Sequence, residues 1–141
     1  MSGTGGIPAI HWPRGCQCIY LTFAANGDAD ATPATCGSTA NYRVIAKAAT
    51  QDGCVSDVDA TYYETRRGTE QGALCLNVDF VVGGCFDLTP KQKHRVTCGT
   101  TGPKVVRVTG IKTNTVDKSL CPDATFTYDT QRMVVCLTPQ P

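Results

Sequence analysis

The cysteine pattern constrains this chain more than any other feature. Nine cysteines occur in 141 residues, and only Cys16 and Cys18, in the stretch GCQCIYL, stand close together. The other seven, Cys36, Cys54, Cys75, Cys85, Cys98, Cys121 and Cys136, are spread along the chain. Zinc sites are usually built from cysteine pairs two to four residues apart, joined by a second pair or by closely spaced histidines. The only histidines are His11 and His94, far apart in sequence. Disulfides in an oxidising compartment are therefore the expected use of the cysteines, and no metal or cofactor is expected. A cytosolic metal module is the competing reading.

An odd count leaves one cysteine over, and self-similarity within the chain indicates which one. CGSTANYRVIA (36–46) matches CGTTGPKVVRV (98–108), with Val44 and Val106 eight residues after their cysteines. GALCLNV (72–78) matches MVVCLTP (133–139), and CIYLT (18–22) matches CFDLT (85–89). A further cysteine, Cys54 or Cys121, precedes a tyrosine, Tyr62 or Tyr128, by seven or eight residues. Each half thus holds four cysteines in one order: Cys18, Cys36, Cys54 and Cys75, then Cys85, Cys98, Cys121 and Cys136. Cys16 is the surplus thiol, although its Gly-Cys context also resembles Gly84-Cys85. Four cysteines allow three pairings. First with second and third with fourth is favoured, since each bridge then ties neighbouring strands or the base of a hairpin; the other two remain open.

The organisation that follows is a linker over residues 1–14, a first repeat over 15–80 and a second over 81–141. No proline- or serine-rich linker parts the halves near VDFVVGG (78–84), so they are expected to pack together. Each half is small enough for its core to be marginal. A disulfide closing a loop of about 15 residues adds roughly 3 kcal/mol in the chain-entropy model.

Threonine, valine, glycine and alanine dominate, and no stretch shows a convincing helical period. The expected fold class is all-β, β-rich, as two tandem disulfide-stapled repeats. NYRVIAKA and KVVRVTGIK read as strands. ATYYETRRGTEQGALCLNV reads as a hairpin turning between Arg67-Gly68 and Gln71-Gly72. ATFTYDTQRMVVCL repeats it with a tighter turn at Asp129-Thr130, and TFAANGDADATPATC (22–36) reads as a polar loop.

The formal net charge of +1 gives no global argument for nucleic acid or an anionic membrane surface. No segment approaches the length of an apolar membrane span. MSGTGGIPAIHWPRG also lacks the apolar core of a leader peptide. Export of a disulfide-bonded chain is then expected to rest on a signal or anchor that has been removed, with Met1 not the native start. A native cytosolic start would weaken the disulfide case.

The cysteine-glycine strand motif, LCPDATFTYD and the closing LCL or VCL together resemble actinobacterial LppU-type envelope proteins. These are mostly lipoproteins or single-span membrane proteins with an extracytoplasmic, cysteine-paired domain. The likeness covers most of residues 15–138 and implies a place outside the membrane, disulfides and a β-rich fold. It carries no catalytic residues. The first repeat departs from the pattern where Cys16 replaces the glycine at Gly83, and where Val55 replaces Pro122.

Several constellations of residues bear on possible chemistry. His94 lies four residues before Cys98, but Cys98 is a framework position. Cys16 is the candidate free thiol. It could serve thiol–disulfide redox activity with Cys18, or link two chains into a dimer. Asn26, Asp28 and Asp30 begin a calcium-loop pattern that fails at Ala31 and Gly37. DVD (57–59) is weaker still. Ser38 lacks the surroundings of a hydrolase serine. The only glutamates, Glu64 and Glu70, flank the hairpin turn and are expected to be exposed, not paired in a cleft. RRG (66–68) and KQKHR (91–95) are small basic patches that could meet anionic envelope polymers. Trp12, Tyr62 and Tyr63 could form a contact patch, with core packing the commoner use. The expectation is a non-enzymatic, extracytoplasmic envelope-binding module, secreted or anchored, whose partner is an envelope protein or an anionic envelope polymer.

Overall fold

In a computed structural model of the chain, residues 2–3, 17–90 and 92–141 are described. His11, Trp12, Cys16 and Lys91 lie outside them. The chain divides into two compact units, Met1–Asp79 and Phe80–Pro141. Both are built from β-strands, so the fold is all-β.

The N-terminal unit contains β1 (Ser2–Gly3), β2 (Gln17–Phe23), β3 (Ala29–Ala34), β4 (Tyr42–Ala48), β5 (Ala60–Arg66) and β6 (Thr69–Val78). Their order is β1-β3-β2-β4-β6-β5, and β1 pairs in parallel with both β3 and β5 to close a barrel. Strand side chains alternate between faces. One face therefore gathers Ile19, Leu21, Ala29, Ala31, Tyr42, Tyr62, Leu74, Leu76 and Val78, all buried. The other face carries Cys18, Arg43, Cys75 and Asn77, with Cys18 opposite Arg43 and Arg43 opposite Asn77.

The C-terminal unit contains β7 (Cys85–Asp87), β8 (His94–Val96), β9 (Val105–Thr113), β10 (Ala124–Tyr128) and β11 (Met133–Pro139). They form one antiparallel sheet in the order β10-β11-β9-β7-β8. Its apolar face holds Phe86, Val106, Val108, Val135 and Leu137. An aromatic row joins them, with ring centroids 5.2 Å apart for Phe80–Phe86, 5.4 Å for Phe80–Phe126 and 5.2 Å for Phe126–Tyr128. The guanidinium of Arg95 lies 4.7 Å above the Phe86 ring. The opposite face buries Cys121, Val134 and Cys136.

Read from the other edge, the C-terminal sheet runs β8-β7-β9-β11-β10, the same order as β3-β2-β4-β6-β5 in the N-terminal unit. A β-bulge also falls at the same step in both. Leu76 faces Val44 while Cys75 faces Ala46, leaving Ile45 unmatched. Leu137 faces Val108 while Cys136 faces Gly110, leaving Thr109 unmatched. This register corrects the sequence alignment by two residues. Val44 stands where Val108 does, not Val106, and Val106 stands where Tyr42 does. A slip of two keeps every side chain on its own face, so the apolar pattern could not reveal it.

Two further expectations are corrected. The stretch expected as a loop, residues 22–36, contains β3, whose Ala29 and Ala31 point inward and whose Asp30 and Thr32 point outward. The C-terminal hairpin turn is the longer one, not the tighter. Residues 129–132 join β10 to β11, whereas Arg67 and Gly68 alone join β5 to β6. Their φ values of 54° and 79° suit a two-residue turn whose twist matches the flanking strands.

Phe86 is fully buried, so Phe86→Ala is expected to cost the C-terminal unit about 3–5 kcal/mol. Urea unfolding followed by near-ultraviolet circular dichroism measures this; a change below about 1 kcal/mol would contradict the packing described.

Candidate functional site

The cysteines form four bridges: Cys18–Cys36, Cys54–Cys75, Cys85–Cys98 and Cys121–Cys136. This is the first-with-second, third-with-fourth arrangement in each unit. It removes the Cys98–His94 pair from nucleophilic chemistry, because Cys98 holds no thiol. His94 Nδ1 instead lies 2.6 Å from the Gln92 carbonyl oxygen. Cys16 lies outside the described residues.

The other candidates have structural partners. Asn26 and Asp28 close the β2–β3 turn, where the Asp28 N–H donates to Asn26 Oδ1 at 3.0 Å. Asp59 accepts the Val78 N–H at 2.7 Å. Asp87 and Asp117 each accept from a hydroxyl and a backbone N–H two residues on, at Thr89 and Ser119. Those hydroxyl bonds first, then the backbone ones, hold both carboxyls below their ordinary range. Glu64 and Glu70 are half-buried, not exposed as expected, and each is a hydrogen-bond acceptor. Tyr62 donates to Glu64 at 3.0 Å, and Gln51 donates to Glu70 through its backbone and its side-chain amide, each at 3.0 Å. They are engaged by different partners. Ser38 is exposed in the turn after Cys36. Of the two basic patches, Arg66 and Arg67 are exposed at the hairpin tip, whereas Lys93, His94 and Arg95 are half-buried. Tyr62 is a core residue and Tyr63 is half-buried on β5.

The most concentrated polar chemistry in the N-terminal unit lies beside the Cys18–Cys36 bridge. Asp79, just beyond β6, is 0% exposed. Its Oδ2 accepts the Gly37 N–H at 2.6 Å, and its Oδ1 accepts from the Arg43 guanidinium at 3.0 Å. Arg43 is part-exposed, so solvent meets the cation while the anion is enclosed. Asn41 completes the arrangement. Its Oδ1 accepts the Leu21 N–H at 2.8 Å, its Nδ2 donates to the Leu21 carbonyl at 2.9 Å, and its own carbonyl accepts the Asp79 N–H at 3.0 Å. The sulfurs of Cys18 and Cys36 and a carboxylate oxygen of Asp79 lie within 4.8 Å of one another. The sulfurs are bonded to each other, so they supply no thiolate, and the carboxylate is already engaged. This cluster is a hydrogen-bonded charge pair and not a metal centre.

Asn41, Arg43 and Asp79 were not singled out from the sequence. The matched motif GALCLNV ends at Val78, one residue before Asp79. The signal lay in comparing the next residues, where CLNVD in one half faces CLTPQ in the other.

No family model, curated protein or solved structure matches this chain. Among the described residues, no helix is long and apolar enough to cross a membrane.

Asp79→Ala leaves the Gly37 N–H without its acceptor and is expected to cost about 1–3 kcal/mol. Asp79→Asn keeps an acceptor for Gly37 and is expected to cost less. Denaturant unfolding of the two variants checks the order; equal stability of Asp79→Ala and the parent contradicts it. Two tyrosines give a pH signature. Burial first, then the charge of Asp59, pushes Tyr42 up to about 12. Burial first, then the hydrogen bond to Glu64 and the charges of Glu64 and Asp30, raises Tyr62 as well. Both favour the neutral phenol when folded. Their stabilising contribution is therefore complete below the ordinary value near 10 and is lost as pH rises through the folded values. Phenolate absorbance is expected to show Tyr42 and Tyr62 lagging until the chain unfolds. Ionisation of Tyr42 and Tyr62 near pH 10 in a folded chain, seen as loss of the lag on comparing the parent with Tyr42→Phe and Tyr62→Phe, would contradict this.

Proposed function

We propose that this chain is a non-enzymatic, extracytoplasmic interaction module of the cell envelope, made of two copies of one disulfide-stapled β repeat. The observation that carries the reading is the agreement between the units. Each has two bridges joining cysteines in the same order, the same succession of five strands, and a bulge opposite a Cys-Leu pair. Four bridges in one small chain suit an oxidising environment outside the cytoplasm. The likeness of the motifs to LppU-type envelope proteins agrees with that location. Acidic side chains spent on turns and backbone amides, and the eight described cysteines spent on bridges, favour a binding role over a catalytic one.

The partner in this reading is an envelope protein or an anionic envelope polymer, met through exposed cations such as Arg66 and Arg67. Cosedimentation of the oxidised chain with isolated actinobacterial envelope fragments tests it. The chain is expected in the pellet, and salt should release it if anionic polymer supplies the contact. An identical distribution with and without fragments, at every salt concentration, contradicts the reading.

A further inference from the structure

The buried polar residues of the N-terminal unit, Asn41, Asn77 and Asp79, are Val105, Thr138 and Gln140 in the C-terminal unit, and the last of these exchanges removes a carboxylate. Arg43 stands opposite Cys18 on β2 and opposite Asn77 on β6. Arg107 stands likewise opposite Cys85 on β7 and opposite Thr138 on β11. Two residues beyond these partners come Asp79 and Gln140. Backbone bonds fix the correspondence: the Asp79 N–H donates to the Asn41 carbonyl at 3.0 Å, and the Gln140 N–H donates to the Val105 carbonyl at 2.8 Å. Asn41 and Val105 each lie two residues before their arginine. In the N-terminal unit the arginine meets a carboxylate at 3.0 Å. In the C-terminal unit the matching residue is a neutral amide, whose Nε2 turns back to the carbonyls of Thr138 and Pro139, each at 3.1 Å. Arg107 is exposed, and no carboxylate lies within ion-pair distance of it among the described residues.

Arg107 lines an open groove of about 520 Å³ together with Val82, Gly83, Thr109, Thr138 and Gln140. The groove offers a guanidinium, two hydroxyls and a carboxamide, beside an apolar wall at Val82, which is 63% exposed. One cation with neutral donors suits a single carboxylate, which a guanidinium binds through short charge-assisted bonds. The apolar wall suits an aliphatic neighbour of that carboxylate, as Val78 neighbours Asp79. A densely charged, strongly hydrated polymer would gain nothing from Val82.

We propose that this groove binds an aspartate or glutamate side chain of an acidic partner polypeptide, whose carboxylate pairs with Arg107 as Asp79 pairs with Arg43 in the N-terminal unit. The proposal names a partner chemistry for the interaction module and so rests on that reading. Its test uses a defined peptide, so the two can fail separately.

The probe is the doubly capped peptide Ac-Leu-Asn-Val-Asp-Phe-NH2, the sequence of residues 76–80, which carries one carboxylate. It is titrated into the full oxidised chain while amide chemical shifts are followed. Saturable shifts are expected at Thr109, Thr138 and Gln140. Arg107→Ala, and separately an asparagine in place of the peptide's aspartate, should each weaken binding about tenfold or more, as expected for losing a hydrogen bond to a charged group. Gln140→Asp should supply the carboxylate in cis and abolish peptide binding, with the amide spectrum still dispersed. Equal affinity for the Asp and Asn peptides overturns the proposal, as does unchanged binding by Gln140→Asp. Arg107-dependent binding of inorganic polyphosphate with none of the peptide also overturns it, in favour of a polymer site. Peptide binding without envelope cosedimentation would instead keep the groove and reject the envelope module.

Discussion

Everything else in this chain depends on two covalent staples per unit. Each unit is near the size at which an apolar core alone is marginal. The bridges close loops with sequence separations of 18, 21, 13 and 15 residues, each worth roughly 3 kcal/mol against the unfolded chain. Their placement matters as much as their number. In both units the first bridge runs from the strand that begins the cysteine pattern to the turn that precedes the next long strand. The second ties the inner strand of the last hairpin to the segment entering that hairpin. On β2, β6, β7 and β11 the bridged cysteines stand on the face opposite the apolar row. Sulfur chemistry thus holds the outer face, and valine, leucine and aromatic side chains are free to fill the inner one.

With the frame held covalently, side chains near the bridges can vary. The N-terminal unit encloses an aspartate there, held by a loop amide and an arginine. The C-terminal unit replaces it with glutamine and leaves the corresponding arginine in an open groove. A buried carboxylate with all its partners can pin one arrangement of loop and strands, at a desolvation cost that only full satisfaction offsets. The same position without its acid gives up that internal contact and presents a cation to other molecules. In the proposed reading, two units of one strand order divide stability and recognition between them.

Much of the frame was legible in the sequence because its signals are local. The four-cysteine order, the Cys-Leu pairs and the β-branched runs around Val44, Val106 and Val134 all show in a linear reading. What escaped has physical reasons. β3 is rich in alanine and contains Pro33 and Asp30, residues that are weak strand formers, yet β2 recruits it as a neighbour. The two-residue error at Val106 arose because a strand pattern repeats every two residues, so the longer loop after Cys98 left no mark on it. The hairpin lengths followed from backbone geometry at Arg67 and Gly68 and at Arg132, all with positive φ, which no apolar pattern encodes. The Asp79 cluster joins residues 37, 41, 43 and 79, which only the sheet brings together. Its counterpart around Gln140 gains meaning only once the register is known.

The chain holds two separately stapled β units with five strands in one order. Proteolysis of the unreduced chain at acidic pH, which prevents disulfide exchange, followed by mass mapping of the linked peptides, tests this most directly. The expected linked peptides contain the pairs Cys18–Cys36, Cys54–Cys75, Cys85–Cys98 and Cys121–Cys136. A bridge joining any cysteine before residue 80 to one after it would contradict the account, as would free thiols at any of these eight positions.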